Sequence, residues 1–418
     1  MSEAIIGIRA HLTRTRGIGG EIPGIEDFIV EEIPLPRMAE GRRYTVARVQ
    51  AKNWETNRLV SEMARRLGIG PSDIHFAGMK DKRAVTTQIM SFRLPSSPLS
   101  QLRMRDVEIT PLYATDHHLR IGDLWGNRFQ VRIQAMDQDI SQRVEGVCNE
   151  LLGAGGLPNF FGPQRFGTTR PITHLVGRQL VKGNIEGATL DYLTHPSAHE
   201  SEEIVEARKR LRETRNYQAA LGWYPEAFGF ERRMIRHLAR KPEDWVGALR
   251  QLPFNLRRLF IHAYQSLLFN EALSERLIKG LPINDVLVGD VVLLADRYGR
   301  PGGVEVEARE DNLEKVRDHV KRGEAWVSGF LLGYESTMAK GEQGSIERAI
   351  IERERIEPSD FILPALPEVS SKGLRRSLLA PLKTLEYTVH QGKVTLSFEL
   401  PRGCYATALT REIQKRLN

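Results

Sequence analysis

The chain has 418 residues, 41% hydrophobic and 27% charged, which is long for a single domain of about 150 residues and excludes disordered or collagen-like composition. Lys plus Arg outnumber Asp plus Glu by 60 to 53, a net charge of +7, which suits a polyanionic partner without establishing one. The cysteines are only 2, Cys148 and Cys404, so a disulfide framework is excluded and a cysteine zinc site lacks ligands.

No apolar run is long enough for a membrane-spanning helix, and the apolar patch within residues 1–17 is too short for a secretory signal, so a cytoplasmic protein is expected. Residues 28–33 and 44–51 read as strands bounded by Gly, Pro and charged turns. Over residues 54–68 the apolar Leu59, Val60, Met63 and Leu67 share one helical face, with Asn53 as the expected cap and Gly68 as the stop. Residues 127–133 alternate, with Phe129, Val131 and Ile133 on one side and Arg128, Gln130 and Arg132 on the other; Asn127 shares the Phe129 side. A helix with Ile140, Val144, Val147, Leu151 and Leu152 follows, ending at Gly153-Ala154-Gly155-Gly156.

From about residue 168 to 370 the texture changes to long, charged helical patterns, such as 202–221 and 256–279. Strand alternation returns at Leu385, Tyr387 and Val389, turns at His390-Gln391-Gly392 and runs back through Val394, Leu396, Phe398 and Leu400; a helix over about 405–417 ends the chain. Strand-rich ends around a helix-rich middle suggest one interrupted sheet domain, although three consecutive units fit the same pattern.

Nucleotide-binding loops are not supported: Gly153-Ala154-Gly155-Gly156 lacks the third glycine of a dinucleotide loop, and no Gly-Lys-Ser/Thr is present. His195 and His199 have the spacing of a zinc helix, but Pro196 intervenes and no Glu follows His195, so no metal is expected there. His117 and His118 read as a solvated turn, and Cys148 as a buried structural thiol.

Two segments carry unusual chemistry. In Gly78-Met79-Lys80-Asp81-Lys82-Arg83 a carboxylate is enclosed by cations. An aspartate ionises near pH 3.9 unaided, so the cations fit phosphates that would otherwise repel it; a solvated charged turn is the other local reading. Leu157-Pro158-Asn159-Phe160-Phe161-Gly162-Pro163-Gln164-Arg165-Phe166-Gly167 combines aromatics with Arg, as an RNA-contacting loop does and as a core-filling domain junction also does.

At these residues the chain resembles the TruD family of tRNA pseudouridine synthases. Glu26-Asp27-Phe28-Ile29-Val30-Glu31-Glu32, the loop 78–86, Gly126-Asn127-Arg128-Phe129, the stretch 159–167 and Leu400-Pro401-Arg402-Gly403-Cys404-Tyr405-Ala406-Thr407 to Arg411-Glu412 match its motifs in order, and 263–270 resembles a helix of its inserted domain. One departure is that no Lys or Arg lies between Gly17 and Glu26, where the family carries a basic residue; Arg14 or Arg16 are the candidates to substitute.

The resemblance implies an α+β fold. A pseudouridine-synthase catalytic domain with a mixed β-sheet, built from both chain ends (1–165 and 371–418), is interrupted by a large α/β insertion domain (166–370). It implies isomerisation of uridine to pseudouridine in tRNA, at position 13, with no cofactor. Asp81 is then the essential carboxylate, and an ionised aspartate serves attack on the sugar, addition to the base or removal of a ribose proton alike. From the shared strand face, the Asn127 amide is expected to orient Asp81 while Phe129 stacks on the uracil. Lys80, Lys82 and Arg83 are expected to hold phosphates, and Phe161 and Arg165 to contact RNA. Expected partners are tRNA, without membrane or nucleotide cofactor; a monomer is the working expectation. The rival functions are a non-catalytic RNA-binding protein, a synthase acting on other RNAs, and a structural or assembly module whose charged loops are only solvated surface.

Overall fold

The computed structural model describes residues 3–36, 39–135 and 139–415. The chain folds into two compact units: Leu12–Leu157 with Ala380–Asn418, and Met1–His11 with Pro158–Leu379.

The first unit is built on an 8-stranded sheet. Its strands are β1 (Phe28–Pro34), β2 (Tyr44–Lys52), β3 (Ile74–Phe76), β4 (Val85–Phe92), β5 (Val107–Thr115), β6 (Leu124–Gln134) and the hairpin Leu385–His390/Lys393–Pro401. From the hairpin the order runs through β6, β1, β4 and β2 to β5, with β3 on β4. Only β1 and β4 pair in parallel; every other pairing is antiparallel. Gln391 and Gly392 turn the hairpin with φ of 47° and 75°, the positive values a two-residue hairpin turn requires.

The alternation of β6 is realised: Phe129, Val131 and Ile133 are buried. They pack with Val144, Val147, Cys148 and Leu151 of the helix Ile140–Gly153 and with Leu409 and Ile413 of the helix Ala406–Gln414. That last helix ends before Lys415, whose φ is 37°; Arg416 and Leu417, expected within it, lie outside the described residues. At the head of β6, Gly126 has no room for a side chain, since a β-carbon would lie 2.0 Å from the Leu400 carbonyl oxygen. Glycine therefore lets the Lys393–Pro401 strand come close just before Asn127.

Helix α1 (Thr56–Leu67) buries the expected face and ends at Gly68, φ 67°. Its cap is Glu55, not Asn53: the Glu55 carboxylate accepts from the Asn57 and Arg58 N–H groups at 3.0 and 2.9 Å. Asn53 instead takes the left-handed conformation at the exit from β2, φ 62°. His118 is likewise no part of a solvated turn; its ring lies 4.3 Å from that of His75 and 5.7 Å from Tyr44, while His117 is exposed.

The second unit centres on the helix Phe254–Ile278, whose Phe260, Ile261, Tyr264 and Leu268 enter a large apolar core. The helical pattern 202–221 is two helices, Glu202–Thr214 and Tyr217–Trp223, broken at Arg215 with φ 49°. Local patterning also missed a 4-stranded antiparallel sheet formed by Leu374–Ser377, Ala325–Leu331, Val291–Ala295 and Pro301–Glu307. The cause is visible in Ala325–Leu331, buried along nearly its whole length, where no period-2 signal survives.

Residues 158–165 pack in this unit because Asn270 brackets Phe161, accepting its N–H at 2.9 Å and donating to its carbonyl at 3.0 Å, while the Asn159 amide donates to the Ser377 carbonyl at 3.0 Å. Asn270 and Ser274 also donate to the carbonyls of Ile6 and Gly7, at 2.9 and 2.7 Å, which ties the N-terminal segment there. The compact units therefore divide at 157/158 and 379/380, whereas the resemblance implies divisions at 165/166 and 370/371. Among the described residues no helix is long and apolar enough to cross a membrane.

Candidate active site

The segment linking β3 to β4 carries Asp81. Its backbone is anchored along its length: the Ala77 carbonyl accepts from the Gly122 N–H at 2.7 Å, the Lys80 N–H donates to the Thr56 hydroxyl at the start of α1 at 2.9 Å, and the Ala84 carbonyl accepts from the Asn53 N–H at 3.1 Å. From Lys80 to Arg83 the side chains become progressively more exposed. The Lys80 side chain is 4% exposed, Asp81 is half-buried, and Lys82 and Arg83 are exposed.

Lys80 turns inward onto the sheet. Its ammonium donates to Asn127 Oδ1 at 2.6 Å and lies 2.9 Å from Glu32 Oε2. The register explains the convergence, because Glu32 and Asn127 are direct cross-strand partners of β1 and β6 and so present their side chains together. Burial raises the Glu32 pKa, and the Lys80 charge acts against that rise. Contrary to the expectation that it holds a phosphate, Lys80 has its charge spent within the protein, and Asn127 engages the Asp81 loop through it.

Phe129 is also placed differently. It is 5% exposed, with Phe28 at 6.2 Å and Phe398 stacked at 5.2 Å, because its strand face is the one that packs the core. Rather than an open stacking platform, it is part of the packing beneath Asn127. Phe161 and Arg165 belong to the other unit. Phe161 is 4% exposed, edge-on to Phe269 at 5.6 Å, with the Arg376 and Arg165 guanidinium groups 4.1 and 5.4 Å from its ring centre. Arg165 donates to the Ser266 hydroxyl at 3.3 Å. The core-filling reading of residues 157–167 is thus the one that describes Phe161.

Beside the Asp81 loop lies a cavity of about 390 Å³ lined by Gly78, Met79, Lys80, Ile121, Leu124, Asn127 and Arg402, among others. Met79 and Ile121 are 64% and 73% exposed, so the rim offers apolar contact to a planar ring. Arg402 donates to the Gly122 carbonyl at 2.7 Å, and its N–H donates to the Trp125 carbonyl at 3.0 Å. The size and the mix of apolar rim with few polar groups suit a small organic moiety.

Several of these residues went unread in the sequence. Glu32 had a signal: in strand β1 it shares the inward face with Val30, and an inward carboxylate on an apolar face demands a partner. Arg402 stood within a matching motif but had no role. At the Glu26-Asp27 motif, Lys52 of β2 is ion-paired with Glu26 and Arg132 lies 3.8 Å from Asp27.

A family model described as tRNA pseudouridine synthase D (TruD) matches residues 5–413. The chain is 39% identical over 425 residues to a protein named probable tRNA pseudouridine synthase D from Methanococcoides burtonii, covering 99% of this chain and 97% of that one. It is also 39% identical over 414 residues to the so-named protein of Thermococcus gammatolerans, covering 97% of each. The crystal structure of a TruD protein from Methanosarcina mazei superposes with a TM-score of 0.85 at 36% identity, over 99% of this chain and 97% of that one. With the sheet unit and the Asp81 loop described above, this agreement establishes that the chain belongs to the TruD family of tRNA pseudouridine synthases.

Proposed function

We propose that this protein isomerises uridine to pseudouridine at position 13 of tRNA in the cytoplasm, with Asp81 as the essential carboxylate and without a cofactor. The supporting observation is the loop itself: Asp81 follows a lysine locked onto Glu32 and Asn127 and precedes the exposed Lys82 and Arg83, beside an open cavity. Family membership supplies the reaction.

The isomerisation breaks the N1–C1′ bond, forms a C5–C1′ bond, releases the C5 hydrogen as a proton and leaves a proton on N1. No electrons are exchanged with an outside reagent, so the balance needs no redox cofactor. Asp81 is the charged group that meets the sugar or the base, and Lys80 is a positioning residue acting through the loop backbone. Lys82 and Arg83 offset the repulsion between Asp81 and the phosphates. The target nucleotide has to leave its stack, which costs a few kcal/mol, and the Met79 and Ile121 rim covers part of the base surface that unstacking exposes. In this reading the sheet unit performs catalysis and residues 166–370 are the family's insertion.

The test is incubation with unmodified tRNA transcripts followed by mapping of every pseudouridine. The expected result is modification at position 13. Modification elsewhere with position 13 untouched overturns the target, and no modification by folded protein that still binds tRNA leaves a binding protein.

A further inference from the structure

A second cavity, of about 260 Å³, adjoins the same loop and, Lys82 apart, plays no part in the chemistry above. It is lined by Lys52, Asn53, Trp54, Glu55, Arg58, Lys82, Arg105 and Asp106. Its charges are unevenly committed. Lys52 pairs with Glu26, and Arg105 lies 3.4 Å from Asp106. The Glu55 carboxylate is taken up by the first N–H groups of α1. Among the described residues no acidic partner is found for Arg58 or Lys82. The Arg58 guanidinium instead lies 5.8 Å from the centre of the Trp54 ring, and Trp54 is half-buried, one part packed on the core formed by Leu59 and Met63.

The loop thus stands between two cavities, with Lys80 lining one and Lys82 the other. Two residues of extended chain span at most about 7 Å, a distance comparable to the step from one nucleotide to the next. We infer that this groove is a subsite for the nucleotide adjoining the target, taking its base on the Trp54 face and its phosphate between Lys82 and Arg58. The inference rests on the proposed function and deepens it. When a target nucleotide leaves the stack its neighbour loses a stacking partner. An aromatic ring replaces that partner for any base once Arg58, which lies over the ring in the free protein, moves onto the phosphate. A nucleotide brings one phosphate and one planar ring, which is what two uncommitted cations and one indole accept. An extended acidic peptide would meet the Glu55 and Asp106 carboxylates without using the ring.

The experiment compares wild type with Trp54→Leu, which keeps apolar volume on the core, and Trp54→Phe, which keeps an aromatic face, after thermal melting has shown each to be folded. Trp54→Leu should raise KM for tRNA about tenfold, leave kcat within about twofold, and be largely rescued in Trp54→Phe. Unchanged KM in folded Trp54→Leu, an equal defect in Trp54→Phe, or a loss in kcat alone overturns the subsite while leaving the enzyme reading intact. If wild type turns over no tRNA, the function is wrong, and fluorescence anisotropy with a labelled single-stranded RNA oligonucleotide still decides the groove. About tenfold weaker binding by Trp54→Leu with rescue by Trp54→Phe supports it, and equal binding by all three contradicts it.

Discussion

The Lys80 ammonium lies 2.9 Å from the Glu32 carboxylate, with the two side chains 4% and 1% exposed. Burying such a pair is costly, and the raised Glu32 pKa shows that desolvation outweighs the attraction of its partner. The pair is therefore better understood as a fixture than as a source of stability. It pins Lys80 to the β1–β6 ladder and so fixes where the next residue, Asp81, can be.

Glu32→Gln leaves the Lys80 charge buried without its counter-charge, facing only the neutral amide oxygens of the new Gln and of Asn127. Removing one member of a buried pair costs about 3–5 kcal/mol, so denaturant unfolding should show a loss of that order. Turnover should fall steeply while tRNA affinity holds, because Lys82 and Arg83 are untouched. Full turnover in Glu32→Gln would remove the positioning role.

Lys82 and Arg83 are exposed and are assigned to phosphates. Replacing both with Gln should weaken tRNA binding uniformly across sequences. The slope of log affinity against log salt should flatten by about 0.7–0.9 for each phosphate no longer neutralised. An unchanged slope in gel shifts at several salt concentrations would place the phosphates elsewhere.

In the helical unit, Arg276 and Asp290 form a two-pronged pair at 2.7 Å with side chains 0% and 1% exposed, and Arg276 also donates to Gln343 and the Pro282 carbonyl. Asp290→Ala should destabilise by about 3–5 kcal/mol, measured by urea unfolding. The Asp81 loop lies in the other unit, so any protein that remains folded should retain its active-site chemistry.

Burial pushes His174 down to about 4, and His262 down to about 4 as well. A histidine whose folded pKa lies below its unfolded value of 6.5 binds fewer protons when folded, so its stabilising contribution is present above pH 6.5 and is lost as pH falls toward 4. For the buried His174 the loss reaches about 3 kcal/mol at pH 4. The melting temperature should drop between pH 6.5 and 4, and His174→Gln should flatten that drop.

How much of this was legible beforehand follows from which physical signals survive in one dimension. The β6 alternation, the Gly68 stop and the terminal hairpin were readable because a half-exposed strand, a left-handed glycine and a two-residue turn each leave a local mark. Ala325–Leu331 was not, because burial on both faces erases the alternation. Asp81 stood out through its cations, yet those cations looked alike in sequence. Only the pairing of Glu32 with Asn127 reveals that Lys80 is taken up within the sheet unit, while Lys82 and Arg83 stay exposed. Phe129 and Phe161 show the converse: an aromatic in a matching motif gives no hint of whether its faces are open or covered by Phe398 or Arg376.

The central claim is that Asp81 carries the isomerisation. The most direct measurement is tritium release from tRNA labelled at uridine C5, comparing wild type with Asp81→Ala, since forming the C5–C1′ bond expels that hydrogen. Release by wild type that disappears in a folded, tRNA-binding Asp81→Ala is the predicted result. Release that persists in Asp81→Ala, or is absent from well-folded wild type on every tRNA tested, would contradict it.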